Sequence, residues 1–598
     1  MRILALASLL LASTLTTLSA QQDYSEGVAV PRYATTVEQA FTGSSITPST
    51  TFSVPTGPLH CVAEYEPMDG IVVAYEGPQS WKNILVTMAA NITTIGNARV
   101  YVACDSASER DLTAKPHFNS GGVVQSKMKY VVRATDSIWM RDYGTRYCYE
   151  GDCRVIIDHT YNILSRTLDN AFPVGFANYF GHELYNVGLI HGGGNFHLDA
   201  LGRGRATRLI NNENPSLSEA QILQRWSDYQ NLDVTLYTPF PQSVDATQHI
   251  DMWMQVIADN AVVISDWPNN PGSTQDNICD GAAISMAAEG FTVHRVPAYS
   301  VAGTHYTFTN VVMCNDLVLI PSYTQSTAAA SNASALATWQ AALPTKTIVQ
   351  VPCQDIVTAA GVMHCIVMHV PEHKGGLDPT AYLRTPNGGE DFAPGSVVEV
   401  SWISDDNNAV DSVDLEFSND GGLTYSSIVT GLAQNGKYAW TVPTTCTTLG
   451  RVRVVAHDPG GRSGSDESDA NFSIDAAACS AQAVQYGTGK PGTNGIPVLS
   501  ATTPTIGAVM DLDLANGWPS AFTLLLNGPN PASVPFDGGT ILVQTAGTTQ
   551  LTLDPAGGFH LPLPLPWIPQ LEGLSLFWQA WVLGDPGATG SWSASNGL

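Results

Sequence analysis

The pattern that most limits how this chain can fold runs from Cys61 to about Pro371, where apolar strands alternate with helical stretches. Gly70–Tyr75 reads as a strand, Trp81–Ile92 as a helix and Ala98–Cys104 as the next strand. Later segments continue the rhythm: Val155–Asp158, then Ser218–Gln230 with Val234–Tyr237, then Ala261–Ser265 with Asp280–Glu289. Leu317–Pro321, Ser334–Leu343 and Thr347–Val351 close the series. Roughly five such units of about 60 residues fill the region without a clear sequence repeat. Regular strand–helix alternation excludes an all-β or all-α domain and predicts an α/β architecture.

The texture changes near Leu377. Short alternating strands follow at Val397–Trp402, Val413–Phe417, Lys437–Thr441, Arg451–Ala456 and Ala470–Ile474, with turn signals such as Asn419-Asp-Gly-Gly422 between them. This predicts a β-sandwich of the immunoglobulin or fibronectin kind over 377–478. Residues 479–598 are rich in Gly, Pro and Leu, lack helix signals and read as a second β-sandwich. Their low charge would suit contact with a partner or a surface, but an ordinary stability module is the preferred reading.

With 598 residues the chain needs several cores. Its formal net charge of −27 argues against nucleic acid or an anionic membrane as a partner, since both reward positive charge, and suits a cationic substrate. Residues 1–20 have the form of a signal peptide: Arg2, an apolar run, then the small pair Ser19-Ala20. No later apolar run reaches the ~20 residues of a membrane helix. The reading is an exported protein, secreted or at the cell surface, with residues 21–58 as an extended lead-in rich in Ser, Thr and Pro. Among the ten cysteines, Cys148 with Cys153 and Cys446 with Cys479 are plausible disulfides in such a compartment. No C-x-x-C pair exists, so no structural zinc site is expected.

Five short constellations carry polar chemistry inside apolar surroundings. Trp139-Met-Arg-Asp142 places an acid and a base at the end of an apolar run; Asp142 is a candidate cation holder, and a plain Arg141–Asp142 pair fits as well. Ile190-His-Gly-Gly-Gly-Asn195 lets backbone approach a ligand closely, or simply turns. In Thr247-Gln-His249-Ile-Asp251, a strand would set imidazole and carboxylate on the same side, which suits general acid/base work beside a bound cation; a core histidine is the bland alternative. Phe308-Thr-Asn310 supplies an amide. Gly361-Val-Met-His364-Cys365-Ile-Val-Met-His369 reads as a buried strand with one thiol, a candidate nucleophile or a core filler. On a strand His364 would point away from Cys365, and Gly361 would set the preceding turn.

Taken together and in this order, the five motifs resemble those of the bacterial peptidylarginine deiminase and agmatine deiminase family of guanidine-modifying enzymes. The match covers about Cys61 to Pro371 and opens at Ala63-Glu-Tyr-Glu-Pro-Met-Asp69. The resemblance implies a catalytic domain over 59–376 folded as a five-bladed pseudo-symmetric α/β propeller with the active site on its axis. It implies Cys365 as nucleophile, His249 as general acid/base, Asp142 and Asp251 as holders of the guanidinium, and Asn310 near the nucleophile. Trp139, Arg141, Gly194 and Asn195 are further substrate-binding candidates. No metal and no organic cofactor are implied. The implied reaction converts peptidyl arginine to citrulline and ammonia. Agmatine to N-carbamoylputrescine, on a route to putrescine, is the alternative, and a catalytically silent surface-binding protein is a third. Agmatine deiminases carry an acid before the paired glycines, where this chain has Gly192. The peptidyl type has arginines just after a Tyr-Asn pair; here Tyr161-Asn162 is followed out of step by Arg166.

Overall fold

A computed structural model describes residues 24–41, 53–434, 436–474, 481–505, 507–566 and 574–598. The leader, Cys479 and residues 42–52 of the lead-in lie outside these.

Within 59–371 the strands form five small mixed sheets of one design, besides a two-stranded hairpin. In each, a short strand runs antiparallel to a central strand, and the central strand passes through a helix to a parallel neighbour. Arg146–Glu150 pairs with Cys153–Tyr161, and helix Phe172–Phe180 leads to Glu183–His191. His197–Leu198 pairs with Arg203–Thr207, and helix Glu219–Gln230 leads to Asp233–Tyr237. Met254–Ala258, Ala261–Asp266 and Thr292–Pro297 repeat the scheme around helix Thr274–Ala288. Val312–Cys314, Leu317–Ser322 and Thr347–Pro352 repeat it around Asn332–Ala342. The fifth sheet joins the two ends of the region: Met368–Pro371 runs antiparallel to Met68–Ala74, which leads through helix Gln79–Thr94 to Arg99–Cys104. The arrangement is α/β and propeller-like.

Local sequence explains these elements. Helix Gln79–Thr94 buries Trp81, Ile84, Leu85, Met88, Ala89 and Ile92, spaced three and four apart, as one apolar stripe against its sheet. Ser218 and Gln221 form a capping box at the start of Glu219–Gln230, and Asn231 ends the helix in the left-handed region. Parallel strands covered by helices are buried on both faces, which is why Leu317–Ser322 is apolar along its first five residues.

Beyond Leu377 the chain is all β. Thr380–Thr385, Val397–Asp405 and Lys437–Thr441 form one sheet, and a second is centred on Ser412–Ser418 and Thr447–His457. Trp402, Leu415, Trp440, Val454 and Phe472 pack between them. A further β unit, with Leu499, Leu512, Leu525, Ala580 and Val582 at its centre, follows. The first β unit is fastened to the α/β region. Ile403 packs into the cluster formed by Cys61, Cys153 and Val155. Arg154 donates from Nε and Nη2 to the two oxygens of Asp405 at 2.8 and 3.0 Å, with His182 Nε2 at 3.3 Å from the same carboxylate. Arg384 pairs with buried Glu150 at 2.9 Å.

The expected Cys148–Cys153 bridge is absent, and both thiols are free. The hairpin register explains this: Glu150 faces Cys153, so Cys148 stands opposite Val155. Across the other edge, Cys148 faces Cys61, also free. Cys446 is disulfide-bonded. No helix among the described residues is long and apolar enough to cross a membrane.

Candidate active site

All five constellations lie a few residues ahead of the short antiparallel strand of one sheet. Asp142 precedes Arg146–Glu150, Gly194 precedes His197–Leu198, His249 and Asp251 precede Met254–Ala258, Asn310 precedes Val312–Cys314, and Cys365 precedes Met368–Pro371. One repeated local position thus delivers five different side chains or backbones to a single pocket.

A guanidinium already sits there. Arg32, from the segment ahead of the first sheet, reaches into the pocket and is 2% exposed. Its Nε and Nη2 each donate to one oxygen of Asp142 at 2.8 Å. Nη1 and Nη2 donate to the oxygens of Asp251 at 3.2 and 3.0 Å. Nη1 lies 2.6 Å from Cys365 Sγ, and Nη2 lies 2.9 Å from His249 Nδ1. The planar fork of donors matches the two carboxylates in the bidentate manner that distinguishes guanidinium from ammonium. Burial alone would raise both carboxyls; the Arg32 charge reverses this and, with His249 at Asp142 and with His364 and His249 at Asp251, holds them well below the usual range. Burial pushes the Cys365 thiol up, and the Arg32 cation opposes that shift.

The glycines make room. A Cβ at Gly194 would stand 1.9 Å from Arg32 Nη2, and one at Gly193 would stand 2.3 Å from the Arg141 carbonyl oxygen. The Gly194 N–H donates to Asp142 Oδ1 at 3.1 Å. At Gly361 a Cβ would meet the Trp139 ring at 2.6 Å and Cys365 Sγ at 2.9 Å. Gly361 therefore serves close packing against the thiol, not the turn expected of it; Ala360 takes the left-handed conformation there.

Two local readings are corrected. Cys365 is on no strand: His364–Ile366 is a single 3-10 turn, and the strand begins only at Met368. The same turn brings His364 to the site. Its Nδ1 lies 2.9 Å from Asp251 Oδ2, and its Nε2 lies 2.9 Å from Glu64 Oε1. His249 caps a 3-10 turn, Ile250–Met252, and Asp251 lies within it, so the two do not alternate along a strand. Both still face Arg32, because a tight turn also brings residues two apart round one ligand.

The remaining candidates take supporting places. Asn310 Nδ2 donates to the Asp251 carbonyl at 3.2 Å, while its Oδ1 accepts from the His364 N–H at 3.1 Å and lies 3.3 Å from Cys365 Sγ. Trp139 Nε1 donates to the Val30 carbonyl at 2.8 Å, so it grips the segment that carries Arg32. Arg141 makes no bond to the guanidinium. It pairs with Glu64 at 2.7 Å and donates to the His364 carbonyl at 3.2 Å. Asn195 ties its loop to both backbone groups of Thr207. Glu64, His197 and His364 are close enough to suggest a metal donor set, but the Arg141 guanidinium against Glu64 puts positive charge where a cation would need to bind.

Sequence reasoning missed Arg32, Glu64, Glu213 and the true direction of His364. The lead-in is not patternless. Thr35 and Glu38 form a capping box on the short helix Thr36–Gln39, a T-x-x-E signal visible in the sequence. Glu213, half-buried near His249, accepts from Asn162 Nδ2 at 2.6 Å and is raised to about 7, mainly by removal from solvent.

Residues 60–371 match the model of the Porphyromonas-type peptidyl-arginine deiminase family. Curated relatives include the agmatine deiminases of Ectopseudomonas mendocina, 23% identical over 53% of this chain and 96% of that protein, and of Pseudomonas aeruginosa, 23% identical over 52% and 94%. Among solved structures, the agmatine deiminase of Enterococcus faecalis is 18% identical, with a TM-score of 0.47, over 54% of this chain and 98% of that one.

Proposed function

Since the chain belongs to the Porphyromonas-type peptidyl-arginine deiminase family, hydrolases of amidino C–N bonds, we propose that its substrate is arginine within exported or surface-exposed peptides, converted to citrulline. The five sheets would then be the blades of a pseudo-symmetric propeller whose axis runs through the pocket.

One observation carries the choice of substrate. The guanidinium in the pocket belongs to an arginine with peptide chain on both sides. The Arg32 N–H donates to the Ala359 carbonyl at 2.9 Å, and Arg166 Nη2 donates to the carbonyls of Pro31 and Tyr33 at 2.7 and 3.3 Å. Agmatine has no backbone carbonyl to accept from Arg166 and no amide N–H to donate to Ala359, so it would leave these contacts unmade. The names of the relatives favour agmatine as the second reading.

The residues suit a two-step mechanism. Asp142 and Asp251 fix the guanidinium plane, and Cys365 Sγ, as the thiolate that the adjoining cation favours and with His249 protonated, attacks its central carbon to give a tetrahedral adduct. His249, beside Nη2, donates the proton with which that nitrogen leaves as ammonia. Water enters the vacated place, gives a proton to His249 and attacks the thiouronium carbon. The C–S bond breaks, leaving the ureido product and free Cys365. His364 braces Asp251 from behind, and Asn310 spans the backbone under both Cys365 and Asp251.

The test measures ureido product from agmatine, free arginine and peptides with internal or terminal arginine, using enzyme whose residue 32 is replaced by Gln. Internal-arginine peptides should be preferred, and Cys365→Ala should abolish turnover. A preference for agmatine would overturn the substrate assignment; no product from any compound would overturn the deiminase reading for this chain.

A further inference from the structure

We propose that Arg32 is a modification site of this protein itself: the enzyme deiminates Arg32 in cis, and the resulting citrulline releases the segment that closes the pocket. This rests on the deiminase reading above and extends it to regulation of the same site.

The segment is seated as a substrate would be. Val30 is held through its carbonyl by Trp139, Arg32 through its N–H by Ala359, and Pro31 and Tyr33 through their carbonyls by Arg166. Beyond them Glu38, fully buried, pairs with Arg166 at 2.8 Å. On the near side Lys82 pairs with Glu26. These contacts enclose the guanidinium, so no second arginine can reach Asp142 or Asp251 until the segment leaves. Arg32 meets the groups a substrate arginine would meet, with Cys365 Sγ accepting from Nη1. Both carboxylates, the thiol and the imidazole contact it together, with the thiol and the imidazole on different Nη atoms.

The chemistry supplies its own release. Sγ bonds to the Arg32 central carbon, Nη2 departs as ammonia with a proton from His249, and one water replaces the sulfur. The net change is arginine plus water to citrulline plus ammonium. The side chain loses its positive charge and keeps only neutral donors. Asp142 and Asp251 are then left buried against an uncharged group, which is unfavourable. A cationic arginine from outside would bind better than the citrulline it displaces.

Full-length wild type, Cys365→Ala and Arg32→Gln proteins test this. Mass spectrometry of the peptide spanning residue 32 should find citrulline in the wild type and arginine in Cys365→Ala. Cys365→Ala protein incubated with active enzyme should keep its arginine, because the reaction is intramolecular. Arg32→Gln, neutral like citrulline, should convert external peptide arginine from the first time point without a lag. Arginine at position 32 in wild-type enzyme that converts external peptides would overturn self-modification while leaving the deiminase reading intact. Wild type that stays inactive with arginine at 32, beside active Arg32→Gln, would show a permanent plug and also overturn it. Conversion of residue 32 in the Cys365→Ala partner would refute the cis route. If Arg32→Gln converts no arginine compound, the deiminase reading fails as well.

Discussion

Asp251 is held from three sides. It accepts from two nitrogens of the guanidinium, takes a third contact from His364, and has its backbone carbonyl held by Asn310. Replacing it with Asn removes one charge of a buried pair and leaves the cation undercompensated, a loss of roughly 3–5 kcal/mol in comparable pairs. In enzyme with Arg32→Gln, Asp251→Asn should therefore raise KM for arginine peptides by about 10²–10⁴-fold, read from steady-state kinetics. An unchanged KM would remove Asp251 from substrate binding. At this scale much of the site was legible in the sequence, because each of the five constellations is a short local word with its polar residue intact. What was not legible depended on conformation or on distance. The period-two rule misplaced His364 because a 3-10 turn stands where a strand was expected. Arg32 was invisible because nothing beside Pro31-Arg32-Tyr33 indicates a partner more than 300 residues away at Cys365.

Among the elements, the strand Val397–Asp405 matters most to the α/β region that it does not belong to. Its last residue, Asp405, is buried against Arg154 and His182. Burial would raise this carboxyl, but Arg154 and His182 hold it well below the usual range. A depressed carboxylate contributes stability that is present above its unfolded value, about 4, and is lost as pH falls toward its folded value. Asp405→Asn should thus cost about 3–5 kcal/mol at pH 7, with the gap to wild type narrowing steadily below about pH 4. Urea unfolding at several pH values measures both; a pH-independent gap would show that the carboxylate charge is not the cause. The sequence indicated a β unit after Leu377 but not its attachment to the α/β region, because the partners are far apart along the chain. Arg154, Glu150 and Ile403 make that attachment, and removing the β unit would strand a buried cation, a buried carboxylate and an apolar face at once.

For the whole molecule, the net charge of −27 acts before any contact is made. Fields of that sign draw cationic peptides inward, and salt screens them over a Debye length of about 10 Å at 0.1 M. For the Arg32→Gln enzyme, kcat/KM on arginine peptides should fall as ionic strength rises while kcat stays level; a kcat/KM indifferent to salt would exclude steering. The closing sheet has a different consequence, one of timing. Met368 faces Val72 across the antiparallel pair, so the strand that follows Cys365 must find its partner near the far end of the region. Contacts so distant along the chain form slowly and late in folding. A chain emerging from synthesis, or one partly unfolded, would have its carboxylates and imidazole in nearly finished sheets while the thiol still waited for the ring to close. The reactive centre would then be among the last parts of the molecule to exist, after the walls around it have already formed.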